Sequence, residues 1–285
     1  MKVGINLLLW TGHVTEAMAP LFRALKETGF DGVEVPIFDA SDPAHYRRLG
    51  AMLDDLGLAR TVTTTIPDPA HDPTSADAAA RAAGFGHLAR VVECCEALGA
   101  EVLAGPWYQP LGVFSGVGPT RGELERCAEV HRRIAPLASA AGLTCALEVL
   151  NRFECYLLNT CTQASDYLDL LGEPGFGIHF DTFHAHIEER DCVAAVTAAW
   201  QRGHLRHVHI SENDRGVPGQ GQARIAEVIR ALRGLGYDEW LTIEAFGGSV
   251  PELAAATRVW RPFFTSEEEV YTLGHRHIRE CWGGA

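Results

Sequence analysis

The sequence predicts an α/β protein built as a single (β/α)8 TIM barrel. Three observations support this: short apolar segments alternate with segments of helical periodicity, eight such pairs follow one another, and no Pro-, Gly- or Ser-rich linker divides the chain. Strands that alternate with helices pair in parallel through right-handed crossovers, and eight units within 285 residues match a closed barrel better than an open sheet. We therefore expect one domain over residues 1–285, with residues 261–285 as a C-terminal helical or interface extension.

The predicted strands are the short apolar segments, and the predicted helices are the segments with apolar residues three and four apart. The strands are residues 3–9, 32–37, 59–65, 101–105, 144–149, 177–181, 206–210 and 241–245. The helices are residues 14–28, 43–56, 77–98, 120–141, 162–171, 188–202, 222–235 and 251–260. Several helices are followed by a glycine that can adopt the left-handed C-cap conformation, as at Gly29, Gly99 and Gly142, and the next strand begins soon after it.

Composition excludes several classes of protein. Apolar residues make up 47% of the chain and charged residues 21%, as in globular domains, and a net charge of -13 disfavours binding to a nucleic-acid backbone. No apolar segment approaches the roughly 18 residues that a membrane span needs. The eight cysteines show no paired C-x-x-C spacing, which indicates reduced thiols. We expect a cytoplasmic protein that binds neither nucleic acid nor a membrane.

Four chemically active residues lie at the ends of the last four predicted strands. They are Glu148, Asp181, His209 and Glu244. In a TIM barrel the carboxyl ends of the strands meet at one rim, where active sites are built. Three carboxylates and one imidazole at that rim would repel one another unless a cation lay between them, and ligands of this kind suit manganese, cobalt or magnesium better than a thiolate zinc site. The sequence therefore predicts one divalent metal site.

Two further histidines precede these strand ends by two residues each. His179 and His207 share the inward face with Asp181 and His209, because side chains two apart on a strand point to the same side. We expect both imidazoles one layer below the metal site, as hydrogen-bonded core histidines. Metal ligation by these histidines is the alternative, and orientation of a metal ligand is the intermediate case.

Three motifs and one residue carry a resemblance to a known family. The motifs are EVLNRFE at 148–154, FDTFHAHIEE at 180–189 and HVHISENDRGVPGQG at 207–221, and the residue is Glu244. Together they resemble the ketose 3-epimerases, the group of D-tagatose, D-psicose (allulose) and L-ribulose 3-epimerases within the xylose-isomerase-like barrels. The resemblance implies one divalent metal per subunit, first of all Mn²⁺ with Co²⁺ or Mg²⁺ as alternatives, and a homo-oligomer, either a dimer or a tetramer.

The implied reaction is epimerisation at C3 of a free ketose of the D-tagatose, D-fructose, D-psicose or L-ribulose type. By resemblance, Glu148 and Glu244 act as the acid/base pair in addition to holding the metal. Inversion through a cis-enediolate requires removal of the C3 proton from one face and its return to the other, which two carboxylates on separate strands can perform. We therefore expect an isomerase.

The resemblance also implies substrate contacts. Glu154, His184 and Arg215 match family positions that hold the substrate oxygens near C1 and C2. The motif around Arg215 reads SENDRG where some members carry a cysteine before the asparagine, but its spacing from His209 is unchanged. Trp107 is expected as a wall of the substrate pocket.

Three alternatives remain open. A related isomerase or epimerase could act on a sugar phosphate or a short hydroxy-ketone, because Gly247, Gly248 and Ser249 follow the last strand and precede a helix; that loop has no neighbouring Lys or Arg. An abasic-site endonuclease would need a basic DNA-binding face, which an acidic chain does not favour. A non-catalytic sugar-binding barrel would not need both Glu148 and Glu244.

Overall fold

The computed structural model describes residues 1–283 and contains eight parallel strands. They are β1 (Lys2–Ile5), β2 (Gly32–Pro36), β3 (Ala59–Thr63), β4 (Val102–Gly105), β5 (Thr144–Glu148), β6 (Phe176–Asp181), β7 (Leu205–Ile210) and β8 (Trp240–Ile243). Each strand pairs with the next in the order β1-β8-β7-β6-β5-β4-β3-β2. A single parallel bridge between Asn6 and Glu34 joins β1 to β2. This nearly closed ring confirms the predicted (β/α)8 TIM barrel.

Within residues 1–283, eight helices lie between the strands in sequence, and two more follow β8. They are α1 (Ala19–Thr28), α2 (Pro43–Asp55), α3 (Ala78–Leu98), α4 (Arg121–Ala140), α5 (Cys161–Leu171), α6 (Thr182–Glu188), α7 (Cys192–Gln201), α8 (Ile225–Gly234), α9 (Pro251–Thr257) and α10 (Glu267–Gly283). Local sequence fixes their ends: Thr120 and Thr160 begin α4 and α5 with capping boxes, and Gly29, Gly99 and Gly172 end α1, α3 and α5 in the left-handed conformation.

The first strand is shorter than predicted. It ends at Ile5 instead of Leu9, and Leu7–Leu9 form a 3-10 turn. The side-chain oxygen of Asn6 accepts a hydrogen bond from the backbone N–H of Leu8 at 2.9 Å, which starts the turn. A continuous apolar segment does not by itself distinguish a strand from a strand followed by a turn, so periodicity alone missed this boundary.

The predicted helix at 188–202 is α7, which begins at Cys192, and a further helix that was not predicted, α6, precedes it. Asp181 caps α6, since its Oδ1 accepts the backbone N–H groups of Phe183 at 2.6 Å and His184 at 3.1 Å. Asp191 caps α7 in the same way. The sequence interpretation treated Asp181 only as a strand end and therefore missed α6, which is the helix that carries His184.

The C-terminal extension is helical as far as the described residues reach. Helix α10 packs between α1 and α8 against β1 and β8, with Ile278 fully buried, and so completes the ring of helices. Arg279 donates a hydrogen bond to Asp31 at 2.8 Å at the amino end of β2. Residues 284 and 285 of the predicted extension lie outside the described residues, and a subunit contact there stays a prediction.

All eight cysteines are buried and none forms a disulfide within residues 1–283, as the sequence indicated. In the same part of the chain, no helix combines the length and the apolar character that crossing a membrane requires.

Gly32 provides a test of the strand packing. A Cβ at this position would lie 2.6 Å from the Trp240 ring and closer still to the carbonyl oxygen of Ala59 on β3. We expect Gly32→Ala to lower the free energy of unfolding by about 1–3 kcal/mol, because the backbone must shift to relieve the overlap. Urea denaturation measures this loss. The control is Gly175→Ala, where nothing lies within 4 Å of the added carbon, and equal stabilities of the two variants would contradict the packing argument.

Candidate active site

The carboxyl ends of the strands open into a cavity of about 600 Å³. Polar side chains from the second half of the chain line part of it. These are Glu148, Glu154, His184, Arg215 and Glu244. The cavity thus lies at the rim where the sequence predicted an active site.

The four predicted metal ligands lie together at this rim. One side-chain nitrogen or oxygen from each of Glu148, Asp181, His209 and Glu244 lies within 4.8 Å of those of the other three, and all four residues are buried. Asp181 and His209 face each other across the β6–β7 pairing, while Glu148 ends β5 and Glu244 directly follows β8. The strands therefore bring the four side chains into one cluster.

The cluster suits a divalent cation. Nδ1 of His209 is buried without a hydrogen-bond partner, 3.3 Å from Oε1 of Glu244 and 3.6 Å from Oδ2 of Asp181. Burial opposes the charged ring, but the charges of Glu34 and Glu244 raise the pKa of His209 well above its ordinary value. Once its proton has left, a nitrogen among carboxylate oxygens is a ready metal ligand, and three oxygens with one imidazole nitrogen suit manganese, cobalt or magnesium. The residues present therefore fit the metal that the resemblance implies.

The carboxylates of the cluster affect one another's ionisation. Burial, and then the nearby charge of Glu244, raise the pKa of Glu148 well above its ordinary value. Burial also opposes the ionisation of Glu244, but His209 and Arg215 outweigh it and lower the pKa of that carboxyl. Glu148 and Glu244 repel each other when both are charged, and a divalent cation at the cluster would relieve that repulsion.

Arg215 is the guanidinium of this site. Its Nη1 donates to Oε2 of Glu244 at 2.6 Å and lies 3.4 Å from Oδ2 of Asp181. The guanidinium carbon lies 3.8 Å from the ring centroid of Phe183 and 4.9 Å from that of Phe246. The two rings and two carboxylates hold the charge at the base of the cavity.

Glu212, which the sequence analysis missed, organises the loop that carries Arg215. Its buried carboxylate accepts the backbone N–H of Gly219 at 3.0 Å and that of Ala223 at 2.7 Å. Arg215 has a left-handed backbone with φ of 64°, an uncommon conformation for this residue type. The N–H of Arg215 bonds to the Glu212 carbonyl at 2.9 Å, so the loop is tied on both sides of the strained residue.

His184 is held by the segment that follows β5. Its Nδ1 accepts the backbone N–H of Asn151 at 3.1 Å, and burial followed by the charge of Arg215 lowers its pKa to about 3. Its Nε2 lies 3.0 Å from Nη2 of Arg215 and 3.5 Å from Oε1 of Glu148. The side-chain amide of Asn151 also donates to Glu154 at 2.8 Å, so one residue orients two side chains of the cavity.

The structure contradicts the expected substrate contact of Trp107. The side chain is fully buried outside the cavity, and its ring packs against His131 and Phe176 with centroid distances of 4.8 and 5.5 Å. The apolar walls come instead from other loops. They include Leu8, Phe38, Leu111, Phe246 and Leu253. Several lie in the first half of the chain, where no motif indicated which side chains face the rim.

A buried network below the cluster was also missed. Glu34 on β2 is fully buried, and its Oε1 lies 2.6 Å from Nε2 of His209. The side-chain amide of Asn6 donates at 3.0 Å to Glu34 and at 3.0 Å to Glu244. The signal was present in the sequence: Glu34 interrupts the apolar strand GVEVP as Glu148 ends the strand TCALE.

His179 and His207 point into the barrel below the cluster, as predicted. Nε2 of His207 lies 2.9 Å from Oε2 of Glu34. The ring of His179 packs edge-on against that of His209, with 3.9 Å between centroids, and neither of its nitrogens has a hydrogen-bond partner within residues 1–283. The expectation of a hydrogen-bonded core histidine is therefore wrong for His179.

Comparisons with known proteins agree with this architecture. The family model described as xylose isomerase-like TIM barrel matches residues 22–281. The ketose 3-epimerase of Arthrobacter globiformis is 34% identical over 98% of this chain and 96% of its own length. A solved L-ribulose 3-epimerase superposes with a TM-score of 0.92 at 30% identity, covering 99% of this chain and 94% of its own. D-allulose 3-epimerase from Methylomonas sp., solved in complex with D-allulose, gives a TM-score of 0.89 at 28% identity, covering 98% and 96%.

Asp181→Asn tests the metal site separately from the fold. Asparagine caps helices as well as aspartate does, so α6 should persist while the cluster loses one charged ligand. For the metal-free wild type we expect Mn²⁺ at about a hundred times its Kd to add about 2.7 kcal/mol of stability and to raise Tm. The variant should have a metal-free Tm close to that of the wild type and a much smaller metal-induced shift in calorimetry. An equal shift in both proteins would place the metal elsewhere.

Proposed function

Because the chain belongs to the ketose 3-epimerases of the xylose isomerase-like TIM barrel family, we propose that it catalyses metal-dependent epimerisation at C3 of a free ketose. The observation that carries this proposal is the placement of Glu148 and Glu244. Both carboxyl groups line the cavity, whereas Asp181 and His209 complete the cluster without lining it. Two groups are thus available to both metal and substrate.

The chemistry requires such a pair. The C3 proton of a ketose is a weak acid, and its removal leaves a cis-enediolate whose charge must be stabilised where it develops. A divalent cation bound at the cluster supplies Lewis-acid stabilisation of that charge. The side chains of the protein then have to move the proton.

Glu148 and Glu244 perform the proton transfers. Inversion at C3 requires that one carboxylate removes the proton from one face and that the other carboxyl group returns a proton to the opposite face. The two residues come from β5 and from the end of β8, with β6 and β7 between them. Each residue serves as base in one direction and as acid in the other, which makes the reaction reversible.

The remaining polar groups of the cavity hold the substrate. Arg215 and His184 bind the carbonyl oxygen O2 and its neighbouring hydroxyl, and Glu154 accepts from the C1 hydroxyl. Asn151 supports this assignment because it orients both His184 and Glu154. Since burial and the charge of Arg215 lower the pKa of His184 to about 3, its ring adds no second charge beside Arg215.

The charge of the cavity favours a free sugar over a sugar phosphate. Among the lining residues the only Lys or Arg is Arg215, which two carboxylates already engage, and Glu252 adds a further negative charge. Arg261 lines a separate cavity of about 410 Å³ together with Gly247 and Gly248. A sugar phosphate remains the second candidate substrate because of this arginine.

Three finer points stay predictions. Mn²⁺ is the expected metal, with Co²⁺ and Mg²⁺ as alternatives that oxygen-rich ligation discriminates poorly. A homo-oligomer and a cytoplasmic location follow from the resemblance and the composition alone.

Proton exchange tests the proposed reaction. Metal-free protein reloaded with Mn²⁺ is incubated in deuterated water with D-tagatose, D-fructose, D-psicose or L-ribulose, and NMR follows the configuration and deuterium content at C3. We expect inversion together with deuterium at C3. Deuterium at C1 with aldose formation would indicate an aldose-ketose isomerase, and turnover of phosphorylated ketoses alone would support the second candidate.

Substitution of the two glutamates separates their roles. We expect Glu148→Gln and Glu244→Gln each to lower kcat for inversion by about 10²–10⁴, because each removes one proton-transfer group. At saturating metal, each variant should still exchange the C3 proton of one epimer, and the two variants should favour opposite epimers. Glu227→Gln on the outer face of α8 is the matched control and should leave kcat unchanged. Full inversion by either cluster variant would remove that residue from the pair.

A further inference from the structure

The interior of the barrel holds one carboxylate that the proposed reaction does not use. Glu34 is fully buried at the point where β2 meets β1, and its bridge to Asn6 is the contact that joins the two strands. Burying an unpaired charge is costly, so a carboxylate in this position needs partners. Its partners show what it does.

All polar neighbours of Glu34 within the described residues are donors or imidazoles. The side chain of Asn6 donates to Oε1 at 3.0 Å, and the hydroxyl of Thr61 donates to Oε2 at 2.9 Å. The imidazoles of His209 and His207 lie 2.6 and 2.9 Å away. A carboxylate surrounded by donors is held in its ionised form, with both oxygens as acceptors.

The ionised form fixes the ring of His209. Because Oε1 of Glu34 can only accept, the Nε2 atom of His209 at 2.6 Å must carry the proton. The other nitrogen, Nδ1, faces the carboxylates of Asp181 and Glu244, and in the neutral ring it is the atom that carries the lone pair. We propose that Glu34 is a positioning residue that holds His209 in the tautomer and orientation in which Nδ1 binds the metal.

The same network reaches a second ligand. The Nδ2 of Asn6 donates both to Glu34 and to Oε1 of Glu244 at 3.0 Å. The Asn6 amide cannot flip without losing a hydrogen bond, because its oxygen accepts the backbone N–H of Leu8. Glu34 and Asn6 therefore orient ligands on β7 and β8 from the first two strands of the barrel.

The effect on the metal follows from the chemistry of such triads. A carboxylate that accepts the second N–H of a ligating histidine makes the ring a stronger donor and fixes its direction, and loss of such a partner typically costs about 10–100-fold in metal affinity. The alternative is that Glu34 only compensates the buried imidazole of His207. In that case its loss would lower stability and leave metal affinity as it is.

Glu34→Gln separates these two roles. Glutamine preserves the shape and can still accept from His209, but the negative charge is gone. With Mn²⁺ as the probe, competition against a chelator should show about 10–100-fold weaker binding. Glu123→Gln is the matched control, since it neutralises another glutamate, one that is partly buried and whose hydrogen bonds go to Thr120 and Tyr156, and its Mn²⁺ affinity should equal that of the wild type. Wild-type affinity in Glu34→Gln would overturn the proposal.

A second measurement holds even where Glu34→Gln fails to fold. Wild-type protein with isotopically labelled histidine is loaded with Cd²⁺, a spin-active metal, and NMR identifies the ring nitrogen coupled to it. We expect coupling to Nδ1 of His209 and a proton on its Nε2. Coupling through Nε2 would show that the metal occupies the place assigned to the hydrogen bond with Glu34, and would overturn the proposal.

This inference rests on the metal site of the proposed function but not on its substrate. If the protein epimerises none of the ketoses but Glu34→Gln lowers its Mn²⁺ affinity, the proposed reaction is refuted and the role of Glu34 is supported. If the protein epimerises ketoses and Glu34→Gln keeps full Mn²⁺ affinity, the proposed reaction is supported and the role of Glu34 is refuted.

Discussion

Mutual repulsion among buried acids is the constraint on which the site depends. Glu148, Asp181 and Glu244 are brought together at the ends of β5, β6 and β8, with Glu34 one layer below, and Arg215 is the one guanidinium in contact with them within the described chain. Four carboxylates and one guanidinium leave an excess of negative charge in a medium that screens poorly. The structure relieves part of it by raising the pKa of Glu148 and that of His209, where the charges of Glu34 and Glu244 outweigh burial. A divalent cation between the four side chains would relieve the rest, and the chemistry proposed for the cavity depends on that cation.

The two halves of the barrel contribute differently. The last four strands supply the four residues of the cluster, among them the proposed proton-transfer pair, and the loop after β7 supplies Arg215 on a backbone that Glu212 holds in place. The first strands supply support: β1 and β2 meet at a single bridge, and the side chains of that bridge, Asn6 and Glu34, hold His209 and Glu244 in place. The two residues of the bridge between β1 and β2 thus also orient side chains of the cluster.

The fold and most of the cluster could be predicted from the sequence because the carboxyl ends of all strands in a TIM barrel lie at one rim. Glu148 and Glu244 were found by counting to the ends of apolar segments, and the layer of His179 and His207 followed from alternation along a strand. Glu34 was missed because an acid in the middle of a strand reveals its partners only when the register with distant strands is known. Trp107 was misplaced for a related reason, since a loop sequence does not show which side of a barrel wall its side chains occupy.

Anomalous diffraction from crystals grown with Mn²⁺ tests the central claim most directly. The account predicts one strong anomalous peak per chain, bounded by the carboxylates of Glu148, Asp181 and Glu244 and by Nδ1 of His209. A peak among His179, His207 and His209 instead, or no peak inside the barrel at saturating Mn²⁺, would contradict it.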